Sequence, residues 1–134
     1  MSEEKVEGVR RIFDAVNRDD LDAFVSEFHP DAEADMSESS GPYSGIYRGR
    51  DQIRPFWQTF LDAWEEVRWN EEEIIEVDEE RLIAVNRVHA RGRGSGIEVI
   101  ATGAQLWTIK EGKAARMKLY ESKAEALAAA GLSE

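Results

Sequence analysis

Val9, Ile12, Phe13 and Val16 recur at helical spacing near the start of the chain, which predicts a first amphipathic helix. Asn17-Arg18-Asp19-Asp20 interrupts the pattern, and Asp19 or Asp20 is placed to cap a short second helix carrying Leu21, Phe24, Val25 and Phe28. His29-Pro30-Asp31 ends that helix, because the residue before a proline avoids the αR region. Residues 32–36 read as a short strand. Residues 37–45 carry loop chemistry throughout, and Ile46-Tyr47 offers a brief pairing segment. Asp51 is the expected N-cap of a third helix. Its face is aromatic: Ile53, Phe56, Trp57, Phe60, Leu61 and Trp64, with Pro55 in the first turn or so.

After Glu66 the texture changes from period 3.6 to period 2. Residues 67–77, 81–91, 97–109 and 114–120 read as four strands, joined by Asp78-Glu79-Glu80, by Gly92 to Gly96 and by Lys110 to Lys113. Each connection has hairpin length and turn chemistry. Residues 121–130 are alanine-rich and helical, with Gly131 as the C′ residue. Helices followed by a meander of strands is an α+β order rather than βαβ. The pattern predicts one domain over 1–134: a curved antiparallel sheet wrapped on three helices, with a short C-terminal helix.

Composition narrows the function classes. The chain has no cysteine among its 134 residues, which excludes disulfides and thiolate metal sites. Lys and Arg number 17 against 28 Asp and Glu, a net charge of −11. That field opposes a phosphate backbone, so no nucleic-acid partner is expected. Met1 to Lys5 lacks an apolar signal region, and no apolar run approaches the ~20 residues of a membrane span. The expectation is a soluble, cytoplasmic protein with no membrane partner.

Several motifs invite chemistry and fail on context. Gly92-Arg93-Gly94-Ser95-Gly96 joins two strands instead of opening a helix, so it reads as a hairpin tip and not a phosphate loop. Gly41-Pro42-Tyr43-Ser44-Gly45 has tyrosine where a nucleophile elbow needs serine. His29, Asp31, Glu33 and Asp35 are spaced by two, which suits either a divalent-metal face or a solvated strand edge; the edge is preferred and no metal is expected. Glu71 and Glu73 share strand parity with Val67, Trp69, Ile75 and Val77. Either they enter a cavity as an acid and base, or the strand bulges and they face water; burial without partners is costly, which favours water. Arg87, His89, Arg91, Arg116 and Lys118 make the later strands basic, as a solvated or a self-association face.

Three stretches carry a family resemblance. Val9 to Phe13, Asp20 to Phe24 and Phe28 to Ala32 resemble the opening of the SnoaL-like, or nuclear-transport-factor-2-like, superfamily. Tyr47-Arg48-Gly49-Arg50-Asp51-Gln52-Ile53 with Phe56-Trp57 resembles its third-helix entry. Gln105 to Thr108, Lys110 to Lys113 and Met117 to Tyr120 resemble its last hairpin. The resemblance implies a cone: a strongly bent sheet closed by three helices, with an apolar pocket at the open end. It does not name a reaction, since members include polyketide cyclases, ketosteroid isomerases, dehydratases, epoxide hydrolases and non-catalytic binding modules. Ketosteroid isomerase needs an aspartate base with a tyrosine and a protonated acid as oxyanion donors, a system described in general accounts of pKa tuning. In the implied register those three positions fall on Met36 (one residue after Asp35, which a one-residue bulge would bring inward), Ile12 and Ala104, all apolar, and nothing replaces the other two, so isomerase chemistry of that kind is not implied.

The same register implies that Leu82, Ala84, Asn86, Val88 and Ala90 face into the cone, with Thr102, Ala104, Leu106, Met117 and Leu119. Asp35 is then the candidate catalytic base, and Tyr47, Trp57, Trp64, Asn86, Thr102 and Met117 are the candidate ligand-binding residues. The opposite face would carry Ile83, Val85, Arg87, His89, Gln105, Trp107, Arg116 and Tyr120, whose aromatic and arginine content suits a homodimer interface. The implied function is binding of a small, largely apolar molecule, with proton transfer next to a carbonyl as the reaction if the protein is an enzyme. A non-catalytic ligand-binding or dimerisation module is the alternative. No cofactor is expected in either case.

Overall fold

The computed structural model describes residues 2–39 and 43–132. Ser40, Gly41 and Pro42, which belong to the expected 37–45 loop and to the Gly41–Gly45 motif, lie outside the described residues.

Helix α1 spans Ser2–Asn17 and buries Val9, Ile12 and Val16. Asp19 then takes φ 59°, a left-handed conformation that Asp tolerates better than most residues. The Asp20 carboxylate caps α2 (Leu21–Ser26) by accepting from the Ala23 N–H at 3.0 Å. The chain passes straight into β1 (Phe28–Asp35), a longer strand than the expected 32–36. It tolerates Pro30 because its pairing with the last strand shifts between Phe28 and Glu33, where a missing N–H breaks no ladder bond.

Strand β2 (Ile46–Arg48) pairs antiparallel with the end of β1. Helix α3 spans Arg50–Ala63, and its N-cap is Gly49 at φ 78°, not Asp51. A residue at this φ is favoured as glycine, and Asp51 instead lies inside the first turn, where its charge complements the helix dipole. Strand β3 (Trp64–Glu76) follows without a loop, three residues earlier than the period-2 texture begins. Then come β4 (Arg81–Gly92), β5 (Glu98–Lys110) and β6 (Lys113–Tyr120). Glu111 and Gly112 both take positive φ between β5 and β6, as a two-residue hairpin loop requires. Helix α4 (Lys123–Ala129) is capped by Ser122. It ends at Gly131 (φ 81°), where the Gly131 N–H donates to Ala128 and the Leu132 N–H to Leu127.

The six strands form one sheet in the order β2-β1-β6-β5-β4-β3. The architecture is α+β, a bent and unclosed sheet with helices on it. All neighbours are antiparallel except β1 and β6, which run parallel. Helices α1 to α3 cover the concave face, where Val9, Ile12, Phe24, Phe28, Trp57 and Trp107 form the main core. Helix α4 covers part of the convex face, packing Ala126 and Leu127 on Ile83, Val85, Leu106 and Tyr120.

Candidate functional site

The cone interior is built by alternation along β4, β5 and β6. Leu82 pairs with Trp107, Ala84 with Gln105 and Asn86 with Gly103, while Trp107 pairs with Met117 and Gln105 with Leu119. Because directly paired residues share a face, these side chains all point at the helices. This corrects the register expected for β5. A five-residue turn over 92–96 places Thr102, Ala104 and Leu106 inside. The structure pairs Arg91 with Glu98, so the turn spans 92–97. One extra residue inverts every face of the strand. Thr102 is therefore exposed on the convex side and is not a cavity residue, Ala104 and Leu106 lie under α4, and Gln105 and Trp107 enter the cone.

The resulting cavity is small, about 50 Å³, and aromatic. Phe24 stacks on Trp57 with ring centroids 4.9 Å apart, and Trp57 stacks on Phe60 at 4.9 Å. Phe13 lies on Trp69 at 5.6 Å and edge-on to Trp107 at 5.8 Å. Met36 and Met117 complete the wall with Gln105 and Leu119, and no lining residue is titratable.

Of the two buried amides on this face, Gln105 lines the cavity and Asn86 does not. Asn86 is 0% and Gln105 2% exposed, and neither end of either amide has a hydrogen-bond partner within the protein. The Gln105 Nε2 lies over Gly103, 3.6 Å from where a Cβ would stand, so it projects towards the position paired with Asn86. The indole N–H groups of Trp57, Trp69 and Trp107 are buried and unpartnered as well. Gln105 was missed because the inverted register placed it outside. Its buried neighbour Trp107, two residues along on the same face, is the aromatic signal that marks this parity as inward.

Asp35 stands elsewhere. Ala34 and Met36 line the cavity, and strand alternation turns Asp35 to the convex face beside Lys118, its paired residue on β6. Its carboxylate accepts from the Ser37 N–H at 2.9 Å and the Ser37 hydroxyl at 2.6 Å, and lies 3.2 Å from Arg116 and 3.8 Å from Lys118. Burial acts to raise its pKa. The Ser37 hydrogen bonds and the two cations outweigh that and hold the carboxyl below its ordinary value. Asp35 is thus the anionic centre of an outer-face ion network with Glu33 and Arg116, not a group facing the cavity.

Of the other expected ligand contacts, Trp57 and Met117 line the cavity. Tyr47 does not: its ring stacks on Phe56 at 4.1 Å and its hydroxyl donates to the Tyr43 carbonyl at 3.2 Å. Trp64 sits at the C-terminus of α3 and faces a separate groove with Asn17 and Arg93. Phe56 lines both the cavity and an open surface groove of about 700 Å³ shared with Tyr43, Tyr47, Asp51 and Thr59. It is the partition between the two.

The remaining acid clusters resolve into ion pairs. β3 bulges between Glu71 and Glu73. Glu71 accepts both guanidinium bonds of Arg10 at 2.9 Å, and that contact, against a smaller effect of burial, lowers its pKa. Glu73 pairs with Lys123 at 2.9 Å. His29 Nε2 contacts the Lys110 carbonyl at 2.7 Å while Glu33 contacts Arg116 at 3.0 Å, so the spaced-by-two residues do not converge.

The expected dimer face is also corrected. Val85 and Tyr120 are buried under α4 and Trp107 is inside the cone. Arg87, His89 and Arg116 do lie on the convex face, each beside a carboxylate: Glu72 at 3.5 Å, Glu98 at 3.7 Å and Glu33 at 3.0 Å. Among the described residues, no helix is long and apolar enough to cross a membrane.

Known structures share this fold. TerC, crystallised with polyporic acid, superposes with a TM-score of 0.78 at 21% identity, covering 96% of this chain and 98% of that one. A Mycobacterium tuberculosis protein in complex with estradiol-17β-hemisuccinate has a TM-score of 0.78 at 13% identity, with 90% and 95% covered. An NTF2-like protein of unknown function from Burkholderia pseudomallei gives 0.78 at 21% identity, with 93% and 95% covered. No curated protein matches the chain in sequence. The SnoaL-like domain model matches residues 9–117, most of the 134 residues and every element from α1 to β6, and the chain therefore belongs to the SnoaL-like domain family.

Proposed function

We propose that this protein binds a small, flat, largely apolar molecule in the cone and holds a carbonyl-type group of it through the Asn86 and Gln105 amides. The observation that carries this reading is the pair of amides, fully buried on the concave face with all four polar atoms unpartnered. Leaving such groups unpaired costs about 1–3 kcal/mol each, and a bound acceptor relieves that cost. Counting the three indoles, N–H donors outnumber acceptors in this interior, and no charged side chain lines it. A neutral ligand rich in acceptors is the complementary partner. The two ligand-bound relatives support a small-molecule role at the level of the fold.

At about 50 Å³ the cavity is far below the ~300 Å³ of a typical ligand pocket. Entry therefore requires the aromatic wall to move, and rotation of Phe56 joins the cavity to the outer groove that it also lines. The absence of a titratable wall residue favours binding without catalysis, since proton transfer needs an acid or base within hydrogen-bond reach of the ligand.

The test uses matched probes that differ by one carbonyl: indane against 1-indanone, and fluorene against 9-fluorenone. Ligand-observed NMR and calorimetry are expected to show tighter binding of the ketone in each pair. Gln105→Met is expected to weaken ketone binding about tenfold, the worth of one good hydrogen bond, with no effect on the hydrocarbon. Failure of all four probes to bind would overturn the reading.

A further inference from the structure

We infer that Gly103 is a specificity-determining residue: its bare backbone keeps a slot open between the Asn86 and Gln105 amides, and the slot seats the carbonyl oxygen of a flat ring ketone. This rests on the ligand-binding role proposed for the two amides. Gly103 is paired with Asn86 on β4 and stands two residues before Gln105 on β5, so all three positions share the concave face. Both amides are buried, and none of their four polar atoms has a partner. The position between them carries no side chain.

Nothing in the fold requires glycine here. Among the described residues, six other glycines take positive φ. A Cβ on Gly8 would stand 3.1 Å from the Gly112 carbonyl oxygen, and one on Gly92 would stand 2.6 Å from the Ser95 hydroxyl. Gly103 has neither reason. Its φ lies outside the positive region, and the β4–β5 pairing runs through it without a shift. The nearest atoms a Cβ would meet are the Gln105 Nε2 at 3.6 Å and the Leu119 Cδ1 at 3.8 Å, ordinary van der Waals separations. Glycine inside a strand loses the most backbone freedom on folding and packs nothing. With bulge, turn and crowding all absent, such a glycine marks the close approach of another group to the backbone.

The surroundings of the slot define that group. Gln105 and Leu119 line the aromatic cavity, and both flank Gly103, so the slot adjoins the cavity. Asn86 is not on the cavity wall and is reached across Gly103. A carbonyl oxygen has two lone pairs, one for the Gln105 Nε2 and one for the Asn86 Nδ2, while the ring that bears it stays against Trp57 and Trp107. A carboxylate is disfavoured, because no cation lines the cavity to pair with it. A methyl group at position 103 would stand where the oxygen sits and would leave the aromatic wall untouched. The residue therefore discriminates by the polar end of the ligand, where hydrogen bonding separates analogues more sharply than apolar contact does.

Gly103→Ala in the full chain tests this, with 9-fluorenone against fluorene and 1-indanone against indane as probes. The variant is expected to melt about 2–4 °C above wild type, because alanine has less backbone freedom to lose and meets no clash. Calorimetry is expected to show each ketone bound about tenfold more weakly than by wild type, the worth of one good hydrogen bond, with hydrocarbon binding unchanged. Ketone preference that survives Gly103→Ala would overturn the inference and leave the proposed function standing. Equal loss of ketone and hydrocarbon binding would overturn it as well, since the methyl group would then only shrink the cavity. A lowered melting temperature would assign Gly103 to the scaffold and overturn it too. Wild-type protein that binds none of the four probes would overturn the proposed function, and this inference with it.

Discussion

Asn17 grips the backbone of Trp69 with both ends of its amide. Its Nδ2 donates to the Trp69 carbonyl at 2.9 Å, and its Oδ1 accepts from the Trp69 N–H at 2.8 Å. Asn17 is the last residue of α1 and Trp69 lies midway along β3, the outermost strand of the sheet. The clamp substitutes for the strand that β3 lacks on that side. It also fixes the Trp69 ring against Phe13 and 6.1 Å from Trp57, so it positions one wall of the cavity. Asn17→Ala removes both bonds and is expected to cost about 2 kcal/mol, read as a lower urea midpoint. An Asn17 variant of wild-type stability would show that the wall is held by ring packing alone.

Asp35 leads to a pH-dependent prediction of definite sign. Its folded pKa lies below the ordinary value, so it contributes stability above its unfolded pKa of about 3.9, and that contribution is lost as pH falls through the folded pKa. Asp35→Asn leaves Arg116 and Lys118 without this shared anion, although Glu33 and Glu38 still reach them. At pH 7 the variant is expected to be less stable by about 1–2 kcal/mol, between the values of exposed and buried pairs. The gap to wild type should close at acid pH. Urea denaturation at neutral and acid pH checks this, and a pH-independent gap would sink the ionic account.

Most elements were legible in the sequence because each has a local cause. The spacing of Val9, Ile12 and Val16, the cap at Asp20, the aromatic face of α3 and the Gly131 stop act within a few residues. Non-local features were not legible. The face of β5 depended on whether the β4–β5 turn takes five residues or six, and period-2 texture is the same in both cases. That one residue decided that Gln105 and Trp107 face the cavity in place of Thr102 and Leu106. Likewise, Asp35 enters the pocket only if a one-residue bulge breaks its alternation with Ala34 and Met36, and the pairing of Glu33 to Asp35 with both neighbouring strands runs without a shift. The docking of α4 has no periodic signature, because an alanine-rich helix of seven residues offers few apolar side chains to mark a buried face.

That docking is nonetheless structural. Leu127 is buried with Ala126 against Ile83, Val85 and Leu106. Leu127→Ala deletes the largest side chain that α4 inserts there and is expected to cost about 2–4 kcal/mol. It should also raise binding of an apolar dye, as the convex-face cluster becomes accessible. Loss of stability without dye binding would mean that the cluster closes over the gap.

Gln105 separates a ligand-binding amide from a structural one. If the amide served the fold, replacing it would break bonds that hold β5 to its neighbours, and stability would fall. Its nitrogen and oxygen have no protein partner, and the side chain lies among Trp107, Met117 and Leu119. Methionine keeps nearly the same length and removes the unpaired polar atoms, so Gln105→Met is expected to raise stability by about 1 kcal/mol. Gln105→Ala removes the methylenes too and is expected to lower it by enlarging the cavity. A calorimetric melt of the two variants beside wild type gives the order Met, wild type, Ala. Destabilisation by methionine would instead assign the amide to the scaffold and take away the polar anchor of the proposed function.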